Sequence, residues 1–85
     1  MAKQIHEFAS RIPGPNGKYV ARAFSEQRGN VWIGWLEFHP VDGLGPVLAT
    51  GEETSQPDAR AVEYWASGIE PVYLEGAIAR ARAKR

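Results

Sequence analysis

Side chains able to do acid–base or metal chemistry are few in these 85 residues. Neither histidine, His6 nor His39, has a partner at a recognisable spacing; His39 stands at a strand end before Pro40, with Glu37 and Asp42 close by. A base oriented by a carboxylate, His39 with Glu37 or Asp42, is the combination an enzyme would use here. Nothing local extends it into a nucleophilic triad. Glu52 and Glu53 adjoin, and adjacent residues of an extended chain point to opposite faces, so they are not placed to share a proton or an ion. Their place ahead of a helix suits the positive end of its dipole instead. The loop at 40–46 has too few acids for calcium, and Gly43-Leu44-Gly45-Pro46 lacks the lysine and following helix of a phosphate cradle. The chain has no cysteine, which removes thiol catalysis, disulfides and zinc fingers together. No catalytic residue, metal site or cofactor is expected.

Binding chemistry is better represented. Trp32 and Trp35 lie three apart in the most β-prone stretch, 31–39, and alternation sends them to opposite faces. One of them faces away from the helices that follow. Ile5, Phe8 and Ile12 of an N-terminal arm, a second copy of the chain, or a stacked nucleotide base would cover it. Tryptophan and tyrosine concentrate binding energy because they bury a large area and keep a polar handle. The candidate interaction surface is therefore Val31, Ile33, Trp35 and Tyr19.

Net charge is zero, against a protein whose main task is to coat nucleic acid or an anionic membrane. The charges are nevertheless segregated: residues 1–28 carry five basic and two acidic side chains, residues 37–75 eight acidic and Arg60 alone, and residues 76–85 four basic. Arg22, Arg28, Arg80 and Arg82 are the candidate contacts to phosphates if a base stacks on Trp35 or Tyr19. The basic terminus also suits the negative end of a final helix.

These side chains need a frame to hold them. Residues 19–27 alternate as a strand; Arg28-Gly29-Asn30 supplies a turn; 31–39 is a strand apolar on both faces; and 47–51 reads as a short third strand. Thr54-Ser55-Gln56-Pro57-Asp58 reads as a helix start, followed by a stripe of Val62, Trp65, Ala66 and Ile69 that ends at Ser67-Gly68. Glu70-Pro71 opens a second helix, 72 to about 83, with Leu74, Ala77, Ile78 and Ala81 inward. Strands followed by helices predict an α+β domain: a three-stranded antiparallel sheet followed by two helices packed on one face. Its expected core is Trp32, Leu36, Phe38, Val62, Trp65, Leu74 and Ile78. Pro13-Gly14-Pro15-Asn16-Gly17 stops any helix over 5–12, so residues 1–17 are expected to be an arm and 18–85 a single β-β-β-α-α domain.

A composition of 44 % hydrophobic residues with nine aromatics supports a real core. The N-terminus has no apolar signal region, and the longest apolar stretch, 31–36, is far short of the roughly 20 residues that span a bilayer. A soluble cytoplasmic protein with no membrane partner is expected.

Gly51-Glu52-Glu53-Thr54-Ser55-Gln56-Pro57, Tyr64-Trp65-Ala66-Ser67-Gly68 and Tyr73-Leu74-Glu75-Gly76-Ala77 resemble a small family of bacterial proteins of unknown function. That resemblance implies a bacterial origin and no activity. Over residues 19–67 the pattern of three strands, a glycine turn, then threonine and acids leading into a helix is similar to the HicB-like antitoxin domain. Phe38-His39-Pro40-Val41-Asp42-Gly43 stands where that family has a Pro-Gly-Cys stretch, and no DNA-binding segment follows. The three-strand sheet with helices is also shared with double-stranded-RNA-binding domains, whose basic helix start is replaced here by Glu and Ala. The expectation is a non-enzymatic protein-interaction or self-association module, a homodimer or the companion of another protein. The alternative is a nucleic-acid-binding domain, antitoxin-like or single-strand-binding.

Overall fold

The structure is a computed structural model, and it describes residues 1–84. Arg85, counted above with the basic terminus, lies outside them. The element order is β1 (Lys3–Gly14), β2 (Gly17–Arg28), β3 (Val31–Pro40), β4 (Leu48–Ala49), β5 (Thr54–Gln56), α1 (Ala59–Ser67), α2 (Pro71–Arg80) and β6 (Arg82–Ala83). The class is α+β, an antiparallel sheet with two helices, but the sheet has six strands where three were expected. The order is β1-β2-β3-β4-β6, with β5 beside β4 along the same flank of β3.

Residues 3–14 are not an arm laid over the sheet. They form its first strand, paired with β2 from Lys3↔Ser25 to Gly14↔Gly17. The expected helix breaker at 13–17 is a hairpin turn, with Gly17 at φ 130°. The β2–β3 hairpin closes where Arg28-Gly29-Asn30 indicated, and Gly29 takes the left-handed φ of 61° that its missing Cβ permits.

The third-strand expectation at 47–51 is met by β4, after which Thr50 leaves the ladder. Its hydroxyl then accepts the Leu36 N–H at 3.0 Å, so that no buried backbone donor is stranded. Thr54–Gln56, expected to lead into a helix, instead pairs with β3 through Trp32↔Gln56 and Gly34↔Thr54. The cap of α1 is Asp58, whose carboxylate accepts the Ala61 N–H at 2.8 Å. Pro71 begins α2, which ends at Arg80, three residues before the expected point. Ala81 is extended, and Arg82 and Ala83 return to pair with β4.

Both helices pack on one face of the sheet. A Cβ on Gly34 would lie 2.8 Å from Val62 Cγ1 and 2.9 Å from Trp65 Cζ3, so the even positions of β3 and the odd positions of β2 look toward the helices. Tyr19, Ala21, Ala23, Leu36 and Phe38 meet Ala66, Leu74, Ala77 and Ile78 there, and Phe8 and Ile12 of β1 complete the core. Of the expected core, Trp65 and Trp32 are only partly buried. No helix among the described residues is long and apolar enough to cross a membrane.

Candidate functional site

The opposite face of the sheet carries no helix. Alternation and register place Val20, Arg22, Phe24 and Glu26 of β2 on it, beside Val31, Ile33, Trp35, Glu37 and His39 of β3. Phe24 and Trp35 are cross-strand partners and stack with centroids 6.0 Å apart and planes 15° from parallel, both half-buried. Glu37 pairs with Ala49 and Ala49 with Arg82, so the last strand adds Arg82 and then Lys84 to the same face.

Glu37 is the centre of the face, and its side chain is only 2 % exposed. Oε2 accepts from Trp35 Nε1 at 3.1 Å and from Lys84 Nζ at 2.8 Å, while Oε1 lies 3.2 Å from His39 Nε2. Burial works against the charge of this carboxyl. The donors on Lys84 and Trp35, the charge of Lys84 and the His39 contact outweigh it, and the carboxyl is held below its ordinary range. Lys84 Nζ also stands 5.9 Å from the Phe24 ring centroid, joining the carboxylate to the aromatic pair.

Around this centre the charges are paired: Arg22 with Glu7 at 3.0 Å, and Arg28 with Glu26 at 3.0 Å and Glu52 at 3.7 Å. A cleft of about 330 Å³ beside Trp35 is lined by Arg28, Ile33, Thr50, Gly51 and Glu52. Neither Glu37 nor His39 is in its lining.

The structure thus brings Val31, Ile33 and Trp35 onto the helix-free face, with different exposures: Val31 is exposed, Trp35 half-buried and Ile33 buried. Tyr19 is not on that face. It is 2 % exposed in the core beneath the helices, because its odd position in β2 points the other way. Arg22, Arg28 and Arg82 share the helix-free side. Arg80 does not: it binds Glu53 at 2.6 Å on the helical side and lies 5.8 Å from the Tyr73 ring centroid. The four candidate phosphate contacts therefore do not form one stripe. Glu52 and Glu53 diverge as alternation requires, but they serve ion pairs with Arg28 and Arg80 and not the α1 dipole. Glu37 and His39 do meet; Asp42 accepts the Leu44 N–H at 2.9 Å within its own loop. Among the described residues no three His, Asp or Glu side chains gather as a metal site.

Two contributors escaped the sequence reading. Phe24 was legible in principle, since the turn at 29–30 sets it opposite Trp35. Lys84 was not, because its partner is 47 residues away.

The class is thus a two-layer α+β domain, with both helices on one side of an antiparallel sheet and an aromatic and ionic cluster on the other. Comparison with known proteins adds nothing to that class: no family model, no curated protein and no solved structure matches the chain.

Proposed function

We propose that this chain acts by binding and not by catalysis, pairing with a second copy of itself through the helix-free face of the sheet around Phe24, Trp35 and Val31. The observation that carries the reading is the stacked, half-buried Phe24–Trp35 pair, set on a face that no helix covers. An apolar patch bordered by charged residues is how protein interfaces are built. The molecule measures 37 × 26 × 18 Å, and its broad side has room for the ~800 Å² per partner that a standard interface uses. Acids and bases alternate along the rim, as in Arg22–Glu7 and Arg28–Glu26, so no excess of one charge opposes the approach of a second copy. The same pairing weighs against nucleic acid, which needs cations free to replace counterions. A cytoplasmic location and membership of the small bacterial family are part of the same proposal.

Sedimentation equilibrium at micromolar concentration tests it. The parent chain is expected to dimerise, and Val31→Glu, at an exposed position, to be monomeric with an unchanged circular dichroism spectrum. A strictly monomeric parent, or a Val31→Glu dimer as tight as the parent's, overturns the reading. Salt-sensitive binding of an oligonucleotide that Arg22→Ala weakens would put the nucleic-acid alternative in its place.

A further inference from the structure

The helical layer carries a second surface that the sheet face does not use. Helix α1 ends at Ser67 and α2 begins at Pro71, and their junction leaves a cleft of about 480 Å³. Its floor is Trp65 and Ile69, partly buried and packed on the core. Its walls are Tyr64, Val72 and Tyr73, which are 81 %, 72 % and 39 % exposed. Of the other exposed large apolar residues, Met1, Val41 and Leu44 stand apart in the terminus and loops and Val31 lies on the sheet face. Exposed apolar side chains scattered singly need no explanation; several gathered in one cleft over a tryptophan floor do.

The cleft's lining carries one charge, and the Arg80 guanidinium at its edge over Tyr73 is paired with Glu53. Glu70 is the ionisable acid in its lining, and its side chain makes no capping hydrogen bond to α2. Glu52 and Glu53 are paired with Arg28 and Arg80 and Asp58 caps α1, so Glu70 is the acid that faces an incoming ligand. Aromatic ring faces attract cations, and one ring here already holds one: Arg80 lies over Tyr73. The Tyr73 hydroxyl donates to Glu53, which fixes the ring and pushes its pKa above the ordinary value, through that bond first and burial second.

We propose that this cleft docks a segment of a partner protein that presents lysine or arginine next to a bulky apolar side chain. The apolar group seats on Trp65 and Ile69; the cation lies against the Tyr64 ring and Glu70. The cleft is on the opposite layer from the proposed self-pairing face, so one chain can engage both at once.

The test is amide chemical-shift mapping of the whole chain titrated with a short, end-blocked synthetic peptide alternating leucine and lysine. Shifts are expected to concentrate at residues 64–73. Tyr64→Ala, at a position too exposed to support the fold, is expected to weaken binding roughly tenfold while leaving circular dichroism native. Glu70→Gln is expected to weaken it about threefold at low salt, with the difference shrinking as salt rises. The proposal is overturned if no residue shifts at millimolar peptide, or if a peptide with glutamate in place of lysine binds as tightly. It is equally overturned if the shifts fall on the sheet face, or if 64–73 shift with protein concentration alone, which would make a second copy the occupant.

Discussion

Replacing Glu37 by glutamine changes almost no volume and removes one charge, which isolates the ionic part of the cluster on β3. The carboxylate is 2 % exposed and meets Lys84, Trp35 and His39 at 2.8, 3.1 and 3.2 Å. An amide can keep its oxygen toward Trp35 and Lys84 and turn its NH2 toward His39, so what it removes is the charge that strengthens these bonds. Breaking a fully buried ion pair costs about 3–5 kcal/mol, whereas the charge-assisted hydrogen bonds alone are worth about 1.5–3. Lys84 is 53 % exposed and recovers water when its partner goes, so the lower range applies. With a urea m-value of about 1 kcal/mol/M for a small chain, the unfolding midpoint, followed by tryptophan fluorescence at neutral pH, falls by about 1.5–3 M. Lys84→Met leaves the buried carboxylate without its cation and costs at least as much, about 1.5–3 kcal/mol, and, in the Glu37→Gln background, close to nothing. The sign of the pH dependence follows from the lowered folded pKa. The stability that Glu37 supplies is fully present above its ordinary value of 4.5 and is lost as pH falls through the folded value. Parent and Glu37→Gln curves therefore converge only once the pH is below that folded value. A Glu37→Gln protein within about 0.5 kcal/mol of the parent at neutral pH, or strictly additive single costs, refutes the cluster as the organiser of this face.

Ser25 is 3 % exposed and its hydroxyl finds no hydrogen-bond partner among the described residues, so Ser25→Ala should stabilise the fold by about 0.5–1.5 kcal/mol in thermal unfolding; a loss of stability would mean the hydroxyl is satisfied after all. Gly34→Ala sets a methyl group 2.8–3.0 Å from Val62, Trp65 and Thr54, an overpacking worth about 1–3 kcal/mol in urea titration. A neutral result there would show that α1 sits farther from β3.

What could be read in advance was whatever depends on near neighbours. The β2–β3 hairpin follows from Arg28-Gly29-Asn30 and alternation, and Gly68 and Pro71 punctuate the helices as expected. Residues 5–12 misled for a specific reason. The ladder shifts register between Gln4 and His6 and again between Glu7 and Arg11. Each shift resets the period of two, so the inward residues Ile5, Phe8 and Ile12 recur at three and four, the mark of a helix. At the other end, Ala-Arg-Ala continues a good helical composition with no Gly or Pro to stop it. The stop comes from far away: β4 offers an open edge, and Glu37 offers Lys84 a buried carboxylate. Neither attraction leaves a mark within a window of ten residues. The division of the candidate face was hidden in the same way, since Tyr19 differs from Trp35 only in which side of the sheet its strand parity selects.

The position of the last strand has a consequence for how the chain is made. During synthesis β1, β2 and β3 can zip together as they emerge, but the outer edge of β4 has no neighbour until both helices have formed and residues 82–84 have cleared the ribosome. Glu37 waits equally long for its ammonium. A chain whose residues 82–84 have not yet paired shows its surroundings a bare ladder edge beside a desolvated acid, so that short segment decides whether the newborn sheet is sealed or sticky.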